Sequence, residues 1–210
     1  MKDNLKEHWN KVYSENDEKE LSWYQEKSVP SLKLLSKASV AKDSLILDIG
    51  SGASVFVKDL LDLGYTSIIA SDISEIALNK SRNKLGKDKA KMVTFIVDDV
   101  TNSTRIKNLK DVSVWHDRAV LHFLTKSEQR KAYLETLNKV LKTNGYAIIG
   151  TFSLEGPRKC SGLEVVNYSA DILAELLGIS YKLEESFNYT HQTFSGNERP
   201  FVYALFKKVD

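Results

Sequence analysis

Two glycines and a later aspartate have the spacing of a nucleoside-binding site. Gly50 and Gly52 lie between a short apolar run that predicts a buried strand and a longer one, residues 55–63, that predicts a helix. A loop with so few side chains lets a ligand contact the backbone, and the amides of a helix start attract oxygen-rich, negatively charged groups. Asp72 lies about twenty residues further on, after the next apolar run, where a carboxylate binds ribose hydroxyls. The pattern predicts a nucleoside-type cofactor at the carboxyl ends of the first two strands.

The elements that must position these residues alternate along the chain from residue 44. Strands are predicted at 44–49, 67–71, 92–97, 111–115 and 146–152, and helices at 55–63, 74–85, 127–141 and 170–177. Two late strands, near 181–190 and 200–208, are typical of an antiparallel hairpin. We therefore predict an α/β fold: a doubly wound, Rossmann-like sheet of seven strands, mostly parallel, with helices on both faces and a carboxyl-terminal antiparallel hairpin.

The first forty residues differ from the rest because they are polar and carry scattered aromatic side chains. We interpret residues 1–40 as an amino-terminal helical cap on a Rossmann-like core, residues 41–210, within one domain. Trp23 could present an aromatic face to a bound cation. Trp9 and Tyr13 lie four residues apart on one predicted helix face, so we expect them to pack on the domain.

Composition narrows the class of protein. The chain has 210 residues and a net charge of +2, which is too small an excess to indicate nucleic acid. The single cysteine, Cys160, rules out an internal disulfide framework and suits a reducing compartment. No apolar signal core and no membrane-length apolar run occur. We expect a soluble cytoplasmic protein with no membrane or nucleic-acid partner and no metal site, and its oligomeric state stays open.

The glycine loop favours a single nucleoside over two common alternatives. A nicotinamide enzyme would normally show G-x-G-x-x-G/A, but the third small residue is replaced by Val55. The chain contains no G-x-x-x-x-G-K-[S/T], the loop that binds nucleoside triphosphates. A nucleoside with a short polar arm over the loop fits better.

Four motifs and the closing hairpin make the chain similar to the class I S-adenosylmethionine-dependent methyltransferases over nearly its whole length. The motifs are LDIGSGAS at 47–54, SDIS at 71–74, VDDVT at 97–101 and VLKTNGYAIIGTF at 140–152. The resemblance implies S-adenosyl-L-methionine as the cofactor. It also implies an enzyme that transfers a methyl group by in-line displacement, for which the protein must align the reactants and exclude water.

The resemblance places the methionine part of the cofactor at the glycine loop. Gly50, Ser51 and Gly52 would pass close to it. Asp48 would lie under the loop and organise it, and in the family this position sometimes reaches the cofactor amine through water. From its place after the charged loop of the cap, Trp23 or Tyr24 would supply an aromatic face to the sulfonium.

The adenosine part would lie against the next two strand ends. By resemblance, Asp72 holds the ribose hydroxyls and Ile73 lies against the adenine. Asp99 accepts from the adenine amino group, with Val100 beside it. Asp98 and Asp99 should point to opposite faces if both are extended, so we expect only Asp99 to reach the ring.

The run after the fourth strand carries the candidate catalytic groups. It is similar to the Trp-Asp-Arg run of thiopurine-type methyltransferases, although His116 stands between Trp115 and the Asp117-Arg118 pair. Carried over by position, Asp117 lines the methyl site and Arg118 faces an anionic or polarisable substrate. His116 or His122 could act as a base because imidazole titrates near neutral pH. The alternatives are a structural ion pair between Asp117 and Arg118 and, for His122, a packing role, which we favour.

Two later loops could reach the same pocket. Residues 155–169 follow the fifth strand and carry Arg158, Lys159 and Cys160. We interpret Cys160 as a buried, inert thiol because no His-Asp partner is visible beside it. His191 at the late hairpin could reach the pocket from the opposite side or be an ordinary turn residue.

The sequence leaves three hypotheses about the function, which differ in the methyl acceptor. We favour a small molecule, because the extra residues form a cap and loops that enclose a compact pocket. The alternative is a protein lysine methyltransferase, which an acidic rim around the methyl site would favour. The third is a non-catalytic protein that binds S-adenosylmethionine.

Overall fold

The computed structural model describes residues 3–53 and 55–210; Ser54 of the LDIGSGAS motif and the first two residues of the predicted cap lie outside the described residues. The helices are α1 (Asp3–Glu15), α2 (Val29–Ala38), α3 (Phe56–Asp62), α4 (Glu75–Ala90), α5 (Ser127–Val140) and α6 (Ala170–Leu177). The strands are β1 (Ile46–Ile49), β2 (Ile68–Asp72), β3 (Val93–Val97), β4 (Val112–Arg118), β5 (Leu141–Phe152), β6 (Lys159–Cys160), β7 (Leu163–Glu164), β8 (Tyr181–Gln192) and β9 (Glu198–Lys208).

Seven of these strands form one sheet in the order β3-β2-β1-β4-β5-β9-β8. The first five are parallel, and β9 pairs antiparallel with both β5 and β8. The predicted fold class, with its carboxyl-terminal antiparallel hairpin, is confirmed. Ile49 is opposite both Ser71 of β2 and Asp117 of β4, so the carboxyl ends of three central strands meet at one edge. Since chain order reverses at β1, this edge is where such sheets bind ligands.

The core lies on both faces of the sheet. Alternate residues of β4 contribute to different clusters: Trp115 packs with α5 and α6, whereas Val114 packs with α2, α3 and α4. This is the expected result for a parallel sheet covered by helices on both faces. Leu34 and Leu35 place α2 in the second of these layers, although the sequence assigned α2 to the cap.

Four elements differ clearly from the sequence prediction, and one of them is β5, which begins at Leu141 instead of residue 146. Strand β4 continues to Arg118 instead of ending at residue 115, because it pairs with β1 on one side and β5 on the other. Helix α4 extends beyond Gly86, where the backbone breaks with φ 75° before one more turn. The predicted loop 155–169 contains the two-residue pair β6–β7. None of the helices in the described residues is both long and apolar enough to cross a membrane.

Candidate cofactor and acceptor site

The loop between β1 and α3 requires glycine at two positions. Gly50 and Gly52 have φ of 61° and 52°, in the left-handed region that side chains disfavour. A Cβ at Gly50 would collide with Cγ2 of Val120, and one at Gly52 would collide with the hydroxyl of Tyr13. The loop therefore lies tightly between the turn after β4 and the cap.

Replacing Gly50 by alanine is expected to destabilise the protein and weaken cofactor binding. Gly64→Ala is the matched control, since Gly64 also has a positive φ, 82°, but nothing lies within 4 Å of an added Cβ. The strained backbone should cost both variants about 1–2 kcal/mol, and the collision should add about 1–3 kcal/mol for Gly50→Ala alone. Urea unfolding and calorimetry with S-adenosylmethionine measure the two effects. Equal losses in the two variants would contradict the tight packing of this loop.

A cavity of about 110 Å³ lies at the carboxyl ends of β1 to β4. It brings together seven of the residues that the sequence predicted for cofactor binding or catalysis: Trp23, Gly50, Asp72, Ile73, Asp99, Val100 and Arg118. These residues come from four strand ends and the segment after α1, so they share a site only because the parallel strands end at one edge.

Asp72 lies at the end of β2 and is 7% exposed. Its Oδ2 accepts from the Gly52 amide and its Oδ1 from the Ser74 amide, both at 2.8 Å. Burial raises the pKa of Asp72 to about 6 despite these hydrogen bonds. Each carboxylate oxygen can accept a second hydrogen bond, so the two ribose hydroxyls of a nucleoside still find acceptors here.

The two aspartates after β3 have different surroundings. Asp98 Oδ2 accepts from the Ser103 hydroxyl at 2.6 Å and from the Arg105 and Ile106 amides, so it holds the following loop. Asp99 uses Oδ1 for the amide and hydroxyl of Thr101. Because its other oxygen has no partner among the described residues, Asp99 is the better placed of the two to accept from a bound adenine.

A second cavity of about 50 Å³ adjoins the first and shares Tyr13, Trp23, Gly50 and Arg118 with it. Three more predicted residues line this smaller cavity: Asp48, Ser51 and His116. Asp48 Oδ2 and Ser51 Oγ are buried and have no hydrogen-bond partner in the described part of the chain. Buried polar atoms without partners are costly, so their presence beside the glycine loop fits the polar methionine end of the cofactor.

Aromatic side chains of the cap close the larger cavity. The ring centroid of Trp9 lies 4.9 Å from that of Phe123 and 5.7 Å from that of Trp23. Tyr13 lies 6.1 Å from Trp23 and is buried. Trp9 and Tyr13 thus pack on the domain as predicted, but they also line the cavity, a role that their helical spacing alone did not reveal.

Arg118 lies where the two cavities meet. Its Nε donates to the Tyr203 hydroxyl and its Nη1 to the Trp23 carbonyl, both at 2.9 Å. Its Nη2 is buried without a partner among the described residues. Arg118 therefore holds the cap segment that carries Trp23, and it makes no ion pair with Asp117 in the described structure.

Asp117 does not line either cavity. It is fully buried and accepts from the Val120 and Leu121 amides at 2.9 and 3.1 Å and from the Tyr133 hydroxyl at 2.8 Å. Burial raises its pKa to about 6. The predicted role beside the reacting methyl group is not supported by this placement. Asp117 instead shapes the turn that contacts Gly50 through Val120.

His122 packs in the core as the sequence analysis favoured. Its ring stacks on Phe152 at 4.5 Å, and its Nδ1 accepts from the Phe152 amide at 3.3 Å. Burial, together with the charge of Arg118, lowers the pKa of His122 to about 3.

Replacing His122 by phenylalanine is expected to reduce the sensitivity of the fold to acid. The folded pKa lies below the ordinary value of 6.5, so the stability that neutral His122 contributes is complete above pH 6.5 and is lost as the pH falls towards 3. Between pH 7 and pH 5 the wild type should lose up to about 2 kcal/mol more than His122→Phe. Urea unfolding at both pH values measures this difference, and identical losses would contradict a buried neutral imidazole.

The later loops contribute less to the cavities than the sequence suggested. Cys160 is buried with Sγ 3.6 Å from Ser22 Oγ, and burial raises the pKa of its thiol, which suits an inert cysteine. Lys159 pairs with Glu164 on the surface at 2.9 Å. His191 is buried, and burial together with Arg118 lowers its pKa to about 4.

The sheet order and the cavity at its switch point define a Rossmann-like α/β protein with a cavity where such folds bind ligands. The methyltransferase domain family matches residues 41–202, and the chain belongs to that family. A solved SAM-dependent methyltransferase from Anabaena variabilis is 14% identical, covers 98% of this chain and 94% of its own, and has a TM-score of 0.79, which shows the shared fold. The finer resemblance to thiopurine-type enzymes stays a prediction.

Three curated relatives share the name EEF1A lysine methyltransferase 2. The protein of Homo sapiens is 28% identical over 166 residues, which cover 69% of this chain and 66% of that protein, just under two thirds of its length. The protein of Danio rerio is 26% identical over 194 residues, which cover 90% of this chain and 77% of that protein. Membership of the methyltransferase domain family therefore rests on the family model, and the unpartnered polar atoms of the smaller cavity fit S-adenosylmethionine as a cofactor.

Proposed function

We propose that this protein methylates the side-chain amine of a lysine in a protein. The observation that carries the proposal is the alignment of 69–90% of the chain with relatives named as lysine methyltransferases. These relatives favour the protein acceptor, which the sequence analysis kept as its alternative, over the small molecule that it preferred.

The charge of the cap segment supports a basic acceptor. Residues 15–20 connect α1 to the aromatic residues over the cavities and expose three carboxylates: Glu15, Asp17 and Glu20. Glu18 lines the smaller cavity and pairs with Lys84 at 2.7 Å. Complementary charge steers a partner towards its site, so a lysine-bearing segment with positive neighbours would be drawn to this rim.

In methyl transfer the main task of the protein is to position the cofactor and the acceptor. The cofactor supplies an electrophilic methyl group on a sulfonium when bound. Trp9, Tyr13 and Trp23 cover the cavity and keep water away from the reacting atoms. The Gly50 loop and Asp72 hold the cofactor, and the methyl acceptor approaches from the side of Arg118. The reacting atoms are thereby held in line.

The amine must be neutral before it can attack. His116 is the only imidazole among the described residues that line the two cavities, and both of its ring nitrogens are hydrogen-bonded within the protein. Burial of the amine near the positive charge of Arg118 favours its neutral form, so the proton leaves to water as the side chain enters.

Transfer of an isotope-labelled methyl group tests the proposal. The purified protein is incubated with methyl-labelled S-adenosylmethionine and, separately, with the protein and the small-molecule fractions of a cell extract. Purified EEF1A is the first single acceptor to test, because the relatives are named for it. Mass spectrometry should place the label on lysine, and Asp72→Ala at the same cofactor concentration should reduce it.

Two outcomes would contradict the proposal. Label that is found in the small-molecule fraction and is absent from protein would support a small-molecule acceptor instead. Cofactor binding without transfer to either fraction would favour a non-catalytic binding protein.

A further inference from the structure

Three buried groups from separate elements form a hydrogen-bonded chain that ends at the smaller cavity. His116 Nδ1 lies 2.6 Å from Asp48 Oδ1, and His116 Nε2 lies 2.8 Å from Ser31 Oγ. The exposed fractions are 2% for Asp48, 2% for His116 and 0% for Ser31. This hydrogen-bonded series of side chains connects β1, β4 and α2, and all three of its members are buried.

The chemistry of the carboxylate determines which group donates in the hydrogen bond between His116 and Asp48. An ionised carboxylate only accepts hydrogen bonds, so His116 Nδ1 donates to Asp48. His116 Nε2 and Ser31 Oγ share the second hydrogen bond of the ring. The His116 ring also stacks on Phe56 with centroids 3.9 Å apart, so packing holds its plane. Since both nitrogens are engaged within the protein, neither can take a proton from a methyl acceptor.

The hydrogen-bonded series ends at the second carboxylate oxygen of Asp48, a residue that lines the smaller cavity. Asp48 Oδ1 is held by His116, whereas Asp48 Oδ2 is buried and has no partner among the described residues. Ser51 Oγ is a second unpartnered atom on the same cavity wall. A fixed carboxylate oxygen with an unused lone pair suits a donor with positive charge.

We propose that Ser31 and His116 are positioning residues that fix the carboxylate of Asp48. The contact between Asp48 and the amine of the cofactor's methionine part, which the family resemblance implies, would then depend on both of them. The catalytic role predicted for His116 is thereby replaced by an indirect one. The inference depends on S-adenosylmethionine as the cofactor and does not depend on lysine as the acceptor.

A matched pair of substitutions separates the two hydrogen bonds of His116. The amide of Asn takes the place of Nδ1 and that of Gln takes the place of Nε2, so His116→Asn keeps the bond to Asp48 and His116→Gln keeps the bond to Ser31. Calorimetry measures binding of S-adenosylhomocysteine, which carries the amino-acid part, and of methylthioadenosine, which lacks it. His116→Gln should weaken S-adenosylhomocysteine about tenfold, and both His116→Asn and Ser31→Ala about threefold.

The second ligand distinguishes positioning from general damage. None of the three variants should change the affinity for methylthioadenosine, because the adenosine site lies at Asp72 and Asp99. In a double-mutant cycle, His116→Gln should have less than about a twofold effect once Asp48 is already Asn.

Three results would overturn the inference. These are equal losses for both ligands, no loss for either ligand, and a loss from His116→Gln that persists in full in the Asp48→Asn background. Thermal melting of each variant is recorded alongside, and Ser31→Ala supplies an independent test if His116→Gln does not fold. Binding is measured without a methyl acceptor, so a failure of lysine methylation leaves this test unaffected.

Discussion

Replacing Asp72 by alanine is expected to lower the affinity for S-adenosylmethionine by about one to two orders of magnitude. A hydrogen bond to a charged group contributes about 1.5–3 kcal/mol, and the ribose offers two hydroxyls to this carboxylate. Asp72 also orders the glycine loop through the Gly52 amide, so the loss extends to the surface on which the cofactor rests. Calorimetry measures the change directly.

The ionisation of Asp72 gives this prediction a pH signature. Burial raises its pKa to about 6, and the protonated carboxyl is a poorer acceptor for two hydroxyls. The affinity of the wild type should therefore fall as the pH decreases through about 6, whereas Asp72→Asn should bind weakly with no such change. Asp62→Asn is the control, because Asp62 is exposed and pairs with Lys58 away from the cavities. Unchanged affinity in Asp72→Ala would refute the assignment of Asp72.

Replacing Asp117 by alanine is expected to lower the free energy of unfolding by about 3–5 kcal/mol. The substitution leaves the Val120 amide, the Leu121 amide and the Tyr133 hydroxyl buried without their acceptor, and each such group costs about 1–3 kcal/mol. The turn after β4 also loses its shape. Urea unfolding measures the loss.

Tyr133→Phe provides the comparison for Asp117→Ala. It removes one of the three donors and leaves the carboxylate with the two amides, so its loss should be smaller, about 1–2 kcal/mol. A direct catalytic role for Asp117 makes the opposite prediction, namely a stable protein that binds the cofactor and transfers no methyl group. Observation of that behaviour in Asp117→Ala would restore the role that the sequence predicted.

The sequence predicted the parts of the site that depend on local pattern. Alternating apolar runs and turn residues identified the strands of a doubly wound sheet, and in such a sheet every parallel strand ends at the same edge. Gly50, Gly52 and Asp72 could be assigned to a nucleoside from their spacing alone, because a bare loop and a strand-end carboxylate have few other uses at that separation. The cap residues Trp9 and Tyr13 were placed on one helix face, and this follows from the helical repeat.

The roles of the residues after the fourth strand depended on contacts that are distant in the sequence. Because β4 continues to Arg118, alternate side chains face opposite sides of the sheet: Asp117 points to Tyr133 of α5, whereas His116 meets Ser31 of α2. Ser31 precedes His116 by 85 residues, and no local pattern relates them. A buried carboxylate and an exposed catalytic one look alike in a sequence, since the donors that distinguish them come from other elements and meet only when the sheet and its helices have packed.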